Sequence, residues 1–450
     1  MRSTSLITAT RRHRLLVAAV LFLLVSAACG DTADTTTTAA APQTTAGTEA
    51  PTTTAAPATT AAPATTAAPA TTAAPTTTAA PTTTAAPTTT AAPTTTLDQA
   101  AAARAACAQE AAALAEAAKA PITPILPSTP VDTSVNAGKT VWYISGTFRD
   151  ERSKQIAAGF EEAAAATNVN VRVIDGEGDV QNWNLVIEQA VAAGVDGIHI
   201  QGIDPDLVSQ AVQEADDAGI PVTMGSALPS PSSPLLHGTE INVSGDMKAD
   251  SKVVADFILA ETGCQGTFIM LATTLFSLGI AGIEGVEEEL ARLCPDDCKL
   301  VVEEVDFSNL NATIPPQIAA LAQRNPEAVW FIAQFDVLAL PMILGLEDAG
   351  LAEGKKLIGH DGAFANLDLV RSGESMQVAD MAWSPAPVQG WRMMDAMHRA
   401  LAGVEIDMTG AALPSQLFVR DNLAPVNDFE LLFPGMVGFE QAYLTLWGVN

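Results

Sequence analysis

Positive charge is scarce in this 450-residue sequence, in which 22 lysines and arginines face 51 aspartates and glutamates and the formal net charge is −29. Four of the arginines fall within the first 29 residues, so the remainder of the chain carries a net charge of about −33. Such a field repels nucleic-acid phosphates and the anionic surface of a membrane. The composition therefore argues against nucleic acid as a partner.

Residues and motifs typical of catalysis are also lacking. The sequence has five histidines, and it contains no G-x-S-x-G elbow, no P-loop, no H-E-x-x-H and no G-x-G-x-x-G after the first predicted strand. No histidine or second cysteine pair completes a zinc pattern. We therefore expect a binding protein that is not an enzyme, with no cofactor and no metal site.

Long apolar runs are confined to the start of the chain, and none after residue 29 approaches the roughly 20 residues that cross a bilayer. There, four arginines precede "LLVAAVLFLLVSAAC", a pattern typical of an export signal. The signal ends in "SAACG", which resembles a lipoprotein lipobox and makes Cys29 the candidate for lipidation. We expect an extracytoplasmic protein anchored by lipid to the outer face of the cytoplasmic membrane, with a plain secretory signal as the alternative.

Residues 30–96 are rich in threonine, alanine and proline and end in seven hexapeptides of the type "AAPTTT". Proline at every sixth position prevents a helix, so we expect an extended, disordered stalk, whether glycosylated or not. Residues 97–138 follow as a spacer and linker. Their first part, "DQAAAARAACAQEAAALAEAAK", has helical propensity but little apolar surface beyond alanine.

Four cysteines lie beyond the signal, and an exported protein favours disulfides over free thiols. The sequence leaves two pairings open, Cys294 with Cys298 in "CPDDC" or Cys264 with Cys298. Either pairing leaves Cys107 as an odd thiol.

From residue 139 onward, short β-branched runs alternate with amphipathic helical segments, which indicates an α/β fold with parallel sheets. Two units of this kind follow one another, and their size indicates two lobes. Open parallel sheets bind ligands beyond the carboxyl ends of their strands. Aromatics make up only 5% of the chain, yet six of them follow predicted strands: Phe148, Trp183, Phe276, Phe307, Phe335 and Trp383. Aromatics gathered at such a rim favour a small-molecule site.

Four segments, in this order and spacing, match a known family. They are "GFEEAAAATNVNVRVID" from residue 159, "AVAAGVDGIHIQGIDPDLVSQAVQEADDAGIPV" from 190, "VWFIAQFDVLAL" from 329 and "KKLIGHDG" from 355. Over residues 139–450 the chain resembles the ribose-type periplasmic solute-binding proteins of ABC importers.

This resemblance implies the type I periplasmic binding protein fold, with two Rossmann-like lobes joined by a three-crossing hinge. The implied N-lobe spans residues 139–243 plus 385–414, and the implied C-lobe spans 244–384 plus 415–450. It further implies a monomer that captures a sugar or sugar-like molecule and delivers it to ABC permease subunits. A lipoprotein that presents its ligand to a membrane receptor is the alternative.

The resemblance implies that some ligand-binding positions of the family are kept in this sequence. Asp361 in "GHDG" matches the acid that holds sugar hydroxyls, and Phe307 in "DFSN" matches an aromatic wall. The loop "GTFRDER" makes Phe148, Arg149 and Asp150 candidates.

Other family positions have changed. An Asp-Arg pair is replaced by Ser226 and Ala227, and an expected arginine is absent, with Phe276 the nearest large side chain. The family's "AxND" becomes "AQFD", so Phe335 stands where an asparagine binds ligand. An apolar side chain cannot satisfy a sugar hydroxyl. With Trp183 and Trp383, these changes indicate a deoxy or substituted sugar, a nucleoside-like compound or an aromatic metabolite.

Three candidates also have simpler structural interpretations. Asp336 is expected to be the N-cap of the helix that follows it. Asp361 is equally suited to capping a turn with Gly362. Trp183 is suited to covering the start of a helix.

Overall fold

A computed structural model describes residues 96–149, 151–307, 309–425 and 427–449. The lipidation candidate Cys29, residues 30–95 of the expected stalk and Asp150 lie outside the described residues. Within the described ranges, no helix has the length and apolar character needed to cross a bilayer.

The first lobe is built on a sheet of five parallel strands in the order β2-β1-β3-β4-β5. Its strands β1, β3 and β4 are almost wholly buried, as expected for a parallel sheet covered by helices on both faces. The bounds are β1 (Thr140–Ser145), α2 (Glu151–Ala166), β2 (Asn170–Asp175), α3 (Val180–Ala193), β3 (Gly197–Gln201), α4 (Ser209–Asp217), β4 (Val222–Gly225) and β5 (Thr239–Val243). Helix α1 (Thr96–Ala117) precedes them.

The second lobe has six strands in the order β11-β10-β9-β8-β6-β7, with β11 antiparallel to β10. Its elements are α5 (Met247–Thr262), β6 (Gly266–Ala272), α6 (Ser277–Leu293), β7 (Cys298–Glu304), α7 (Leu310–Arg324), β8 (Trp330–Ala333), α8 (Asp336–Asp348), β9 (Lys356–Asp361), α9 (Phe364–Ser372), β10 (Gln377–Trp383) and β11 (Ser415–Val419). The chain ends in α10 (Ala386–Ala402), α11 (Phe429–Leu432) and α12 (Phe439–Leu446).

Between β1 and β11 the chain crosses from one lobe to the other three times, and hydrogen bonds tie these crossings together. The first follows β5, the second precedes α10 and the third precedes β11. The backbone N–H of Leu413 donates to the carbonyl of Ser244 over 2.9 Å, and the Ser384 hydroxyl donates to the carbonyl of Pro414 over 3.1 Å. The two-lobed α/β fold expected from the sequence is confirmed.

The C-terminal tail departs from its expected place in the second lobe. Strand β11 does pair with β10, but α12 packs on α10, which itself covers α2 and the first sheet. Trp447 stacks on Trp391 with ring centroids 5.3 Å apart, and Tyr443 lies beside both. Burial of this aromatic face draws the end of the chain onto the first lobe.

Helix α1 is not a free spacer, because it packs along α5 and is joined to the second lobe by a Cys107–Cys264 disulfide. Its alanines Ala111 and Ala115 are buried, so small side chains permit close approach of the two helices. The Cys294–Cys298 disulfide is present as expected. The alternative pairing with Cys298 and the odd thiol were both wrong, because α1 docks on α5 and brings Cys107 to Cys264.

Candidate ligand-binding cleft

A cleft of about 630 Å³ lies at the carboxyl ends of the strands of both sheets and is lined by residues of both lobes. It brings together seven of the ten site residues expected from the sequence: Arg149, Ser226, Phe276, Phe307, Phe335, Asp361 and Trp383. These residues belong to seven separate loops or element ends. The fold therefore assembles one site from positions spread over more than 230 residues of sequence.

Two other expected residues lie outside the lining. Trp183 is 2% exposed within α3, and its indole N–H donates to the carbonyl of Gly146 over 2.9 Å. It supports the loop after β1, a role different from the covering of a helix start that the sequence suggested as the alternative. Phe148 packs against the core of the first lobe instead of facing the cleft.

An aromatic wall, formed by Phe276, Phe307 and Phe335, covers the second-lobe side of the cleft. Phe307 lies edge-on to both neighbours, with ring centroids 5.4 Å from Phe276 and 6.2 Å from Phe335. Such edge-to-face pairs favour a fixed packing over a mobile one. Phe335 is extended and occupies the N-cap position of α8, where it provides no side-chain cap.

Trp383 closes the hinge side of the cleft and is held from two directions. Its indole N–H donates to the Asp250 carboxylate over 2.5 Å, and the ring packs edge-on to His360 with centroids 5.1 Å apart. A side chain at Gly245 would collide with the indole. The orientation of this ring is therefore fixed before any ligand arrives.

Backbone strain marks one cleft residue in each lobe. Ser226 directly follows β4 with φ of 46°, and Asp361 ends β9 with φ of 128°. Residues other than glycine adopt such conformations rarely, and those that do cluster at ligand sites. The Ser226 hydroxyl has no hydrogen-bond partner among the described residues, although only 9% of the residue is exposed.

The loop that carries Asp361 is held from below by two buried carboxyls. Asp336 accepts from the N–H of Ala363 over 2.7 Å, and Asp380 accepts from the N–H of Gly362 over 3.0 Å. Burial and the nearby charge of Asp380 raise the pKa of Asp336 well above its usual value. Burial likewise raises the pKa of Asp380 to about 6. The expectation that Asp336 caps its own helix was wrong, because its carboxyl fixes the neighbouring loop instead.

His360 lies between two carboxylates behind Asp361. Its Nε2 is 3.8 Å from Asp250 and its Nδ1 is 3.5 Å from Asp361, distances of ion pairs rather than short hydrogen bonds. Burial lowers the pKa of His360, but the two carboxylates outweigh burial and raise the pKa to about 9. An imidazolium at this position stabilises the negative charge of Asp361.

We expect NMR of the imidazole C–H resonances to show His360 titrating near pH 9. Because this pKa lies above that of an unfolded histidine, about 6.5, the contribution of His360 to stability is complete below pH 6.5 and is lost as the pH rises through 9. His199 is the internal control, since burial lowers its pKa to about 3. A midpoint for His360 below pH 6.5 would show that the carboxylates do not hold the charge.

Two hydrogen-bonded pairs cross the cleft and tie one lobe to the other. We call these the interlobe contacts. Asp204, which follows β3, accepts from the N–H of Ser277 over 2.8 Å and from its hydroxyl over 2.6 Å at the start of α6. Arg149 donates from the opposite rim to the carbonyl of Phe307 over 2.6 Å. Asp204 was not among the site residues expected from the sequence. Its position as an acid soon after the buried strand β3 could have identified it.

Replacement of Asp204 by alanine is expected to favour an open arrangement of the lobes. The change leaves the start of α6 without its carboxylate, and hydrogen bonds to a charged group contribute about 1.5–3 kcal/mol. Small-angle X-ray scattering should report a larger radius of gyration. Asp206→Ala is the matched control, because the Asp206 side chain is exposed on the same turn. If the parent protein, Asp204→Ala and Asp206→Ala scatter identically, Asp204 does not help to hold the lobes closed.

Comparison with known proteins decides the family. Residues 140–405 match the sequence model of the family described as periplasmic binding protein domain, which is more than half of the chain. The chain belongs to the periplasmic binding protein family. A search of curated protein sequences finds no match.

Solved structures of periplasmic binding proteins share this fold at low sequence identity. A 5-methylthioribose transporter solute-binding protein from Thermotoga lettingae has a TM-score of 0.59 at 16% identity, covering 68% of this chain and 98% of its own. A solute-binding protein from Bacillus halodurans with bound myo-inositol has a TM-score of 0.57 at 18% identity, covering 66% and 98%. One from Agrobacterium vitis with bound allitol has a TM-score of 0.57 at 18% identity, covering 65% and 98%. They support the type I periplasmic binding fold.

Proposed function

We propose that this periplasmic binding protein captures a sugar or sugar-like small molecule between its lobes and delivers it to an ABC importer. The observation that carries the proposal is the cleft itself, where Asp361 and the aromatic wall of one lobe face Ser226 and Arg149 of the other. Flat faces and a fixed carboxylate are what a polar ring needs for stacking and hydrogen bonding. The structural neighbours described above bind compounds of this class.

Each lining group has a role in this proposal. Asp361 accepts hydrogen bonds from ligand hydroxyls, and the Ser226 hydroxyl supplies a partner from the opposite lobe. Phe276, Phe335 and Trp383 cover the faces of the ligand. No covalent step is involved, and the groups in the cleft require no cofactor.

The proposed mechanism is reversible capture. The ligand binds between open lobes, and contacts to both lobes shift the population toward the closed arrangement. The interlobe contacts of Asp204 and Arg149 add to the stability of that closed form. The permease then recognises the closed shape, while lipidated Cys29 and the stalk keep the protein at the outer face of the cytoplasmic membrane.

A thermal-shift screen of sugars, polyols, nucleosides and aromatic acids tests this function. A ligand present at 100 times its dissociation constant adds about 2.7 kcal/mol to the stability of the folded state, so binding compounds should raise the melting temperature clearly. A broad panel in which no compound shifts the transition would contradict solute capture.

Asp361→Ala is expected to reduce strongly the thermal shift produced by the compounds that the screen identifies. Removal of the carboxylate deprives ligand hydroxyls of a charge-assisted acceptor, a loss of about 1.5–3 kcal/mol or a 10- to 150-fold weaker affinity. Isothermal titration measures that difference. Asp368→Ala is the matched control and should bind normally, because the Asp368 side chain on α9 is exposed and lies outside the cleft lining. If Asp361→Ala and Asp368→Ala bind the ligand with equal affinity, Asp361 does not contact it.

A further inference from the structure

We infer that the ligand is amphipathic: a neutral hydroxylated ring that carries an apolar substituent, with the ring held at Ser226 and Asp361 and the substituent on the aromatic wall. This inference rests on the proposed function and specifies its substrate class. It follows from the separation of polar and apolar groups within one cleft.

The apolar end is more extensive than an unsubstituted sugar can use. The aromatic wall of Phe276, Phe307 and Phe335 is continuous through edge-to-face contacts. Further apolar side chains extend the same lining: Leu278, Leu310, Val337, Leu340 and Pro341. A hydroxyl placed here loses its water without gaining an acceptor, which is unfavourable. An alkyl or aromatic group placed here gains from burial.

The polar end lies where the strained residues are. The buried Ser226 hydroxyl has no hydrogen-bond partner within the described part of the chain. Asp361 holds its carboxylate at the rim with a side chain 19% exposed. These two groups come from opposite lobes, so one hydroxylated ring can contact both. The backbone conformations that place them are unfavourable and are therefore explained by a ligand-holding role.

The charges in the cleft favour a neutral ligand. Arg149 donates to two backbone carbonyls, those of Phe307 and Glu177. The second arginine of the lining, Arg152, is buried and donates to the carbonyl of Ser384 over 3.2 Å. An anionic group would instead meet the carboxylates of Asp204 and Asp361, both of which line the cleft. The cleft volume of about 630 Å³ lies within the roughly 300–1,000 Å³ typical of sites for drug-sized ligands. A substituted ring therefore fits in size as well as in polarity.

Paired probes test this inference with the full chain. Isothermal titration compares ribose and glucose with their methyl, propyl and phenyl β-glycosides, and with ribose 5-phosphate as the anionic counterpart. We expect affinity to rise about fourfold per buried methylene and about tenfold or more for phenyl over the free sugar. We expect the phosphate to bind more weakly than ribose.

Substitution at the aromatic wall supplies the second readout. Phe335→Asn should lower the ratio of phenyl-glycoside affinity to free-sugar affinity about tenfold or more, because it removes the apolar surface for the phenyl group. Leu344→Ala is the control, because Leu344 is 47% exposed on α8 and lies outside the cleft lining. Its affinities should match those of the parent protein.

The outcomes separate the two proposals. Free sugars that bind at least as tightly as their glycosides would overturn the amphipathic ligand and leave sugar capture in place. Tighter binding of ribose 5-phosphate than of ribose would overturn the neutral class. An absence of binding by every probe, with no hit in the broader thermal screen, would overturn the proposed function together with this inference.

Discussion

Replacement of Asp395 by alanine should lower the free energy of unfolding by about 3–5 kcal/mol, the usual result of removing one partner from a buried ion pair. Asp395 is completely buried in α10 and accepts from Arg392 over 2.8 Å and from Arg399 over 2.9 Å. It also accepts from the indole N–H of Trp447 over 2.8 Å. The alanine variant leaves two buried guanidinium groups without their counter-charge.

Thermal or urea unfolding measures this loss. The effect should reach beyond the helix, because Arg399 also donates to the carbonyl of Thr129 over 2.6 Å and Arg392 donates to that of Asp407 over 2.7 Å. Asp368→Ala removes an exposed ion pair with Arg371 and should leave the transition unchanged. If Asp395→Ala also leaves the unfolding transition nearly unchanged, solvent reaches the buried network of Asp395 and its two arginines.

Loss of the Cys107–Cys264 disulfide should have an effect of comparable size. The bond joins cysteines 157 residues apart, and closing a loop of that length stabilises the folded state by about 5 kcal/mol through the entropy of the unfolded chain. The Cys107→Ser/Cys264→Ser double variant should therefore melt at a clearly lower temperature. Limited proteolysis should also cut near α1 in that variant.

The second disulfide provides the matched control. Cys294 and Cys298 are four residues apart, so the same relation gives only about 2 kcal/mol for Cys294→Ser/Cys298→Ser. The long-range bond should therefore contribute more to the free energy of unfolding than the short-range bond. A larger loss from the short-range pair would mean that α1 contributes little to the stability of the second lobe.

Much of the fold was predictable because buried parallel strands and amphipathic helices leave strong local patterns. The runs "TVWYIS", "GIHIQG" and "TFIMLA", which form β1, β3 and β6, have such patterns. Strand β5, "TEINV", was missed because its first residues are polar and partly exposed. Strand β11 was missed because Gln416 interrupts its apolar run, and only tertiary contacts bury that side chain.

The residues at the rim of the candidate site were easier to predict from the sequence than the directions of their side chains. Phe307, Phe335 and Asp361 follow strands, and the carboxyl ends of the strands meet at the cleft. Trp183 also starts near such an end, yet its ring turns onto Gly146. The carboxyl of Asp336 binds a loop 27 residues further along the chain. Side-chain direction depends on contacts distant in sequence, which local patterns do not encode.

The central claim is that the two lobes close on one small molecule held between Asp361 and Ser226. A crystal structure of the protein with the tightest-binding compound from the thermal screen tests it most directly. We predict one ligand in the cleft, hydrogen-bonded to Asp361 and close enough to the Ser226 hydroxyl for a hydrogen bond. Its apolar part should pack against Phe335. A ligand bound outside the cleft, or one that contacts a single lobe with the other turned away, would contradict it.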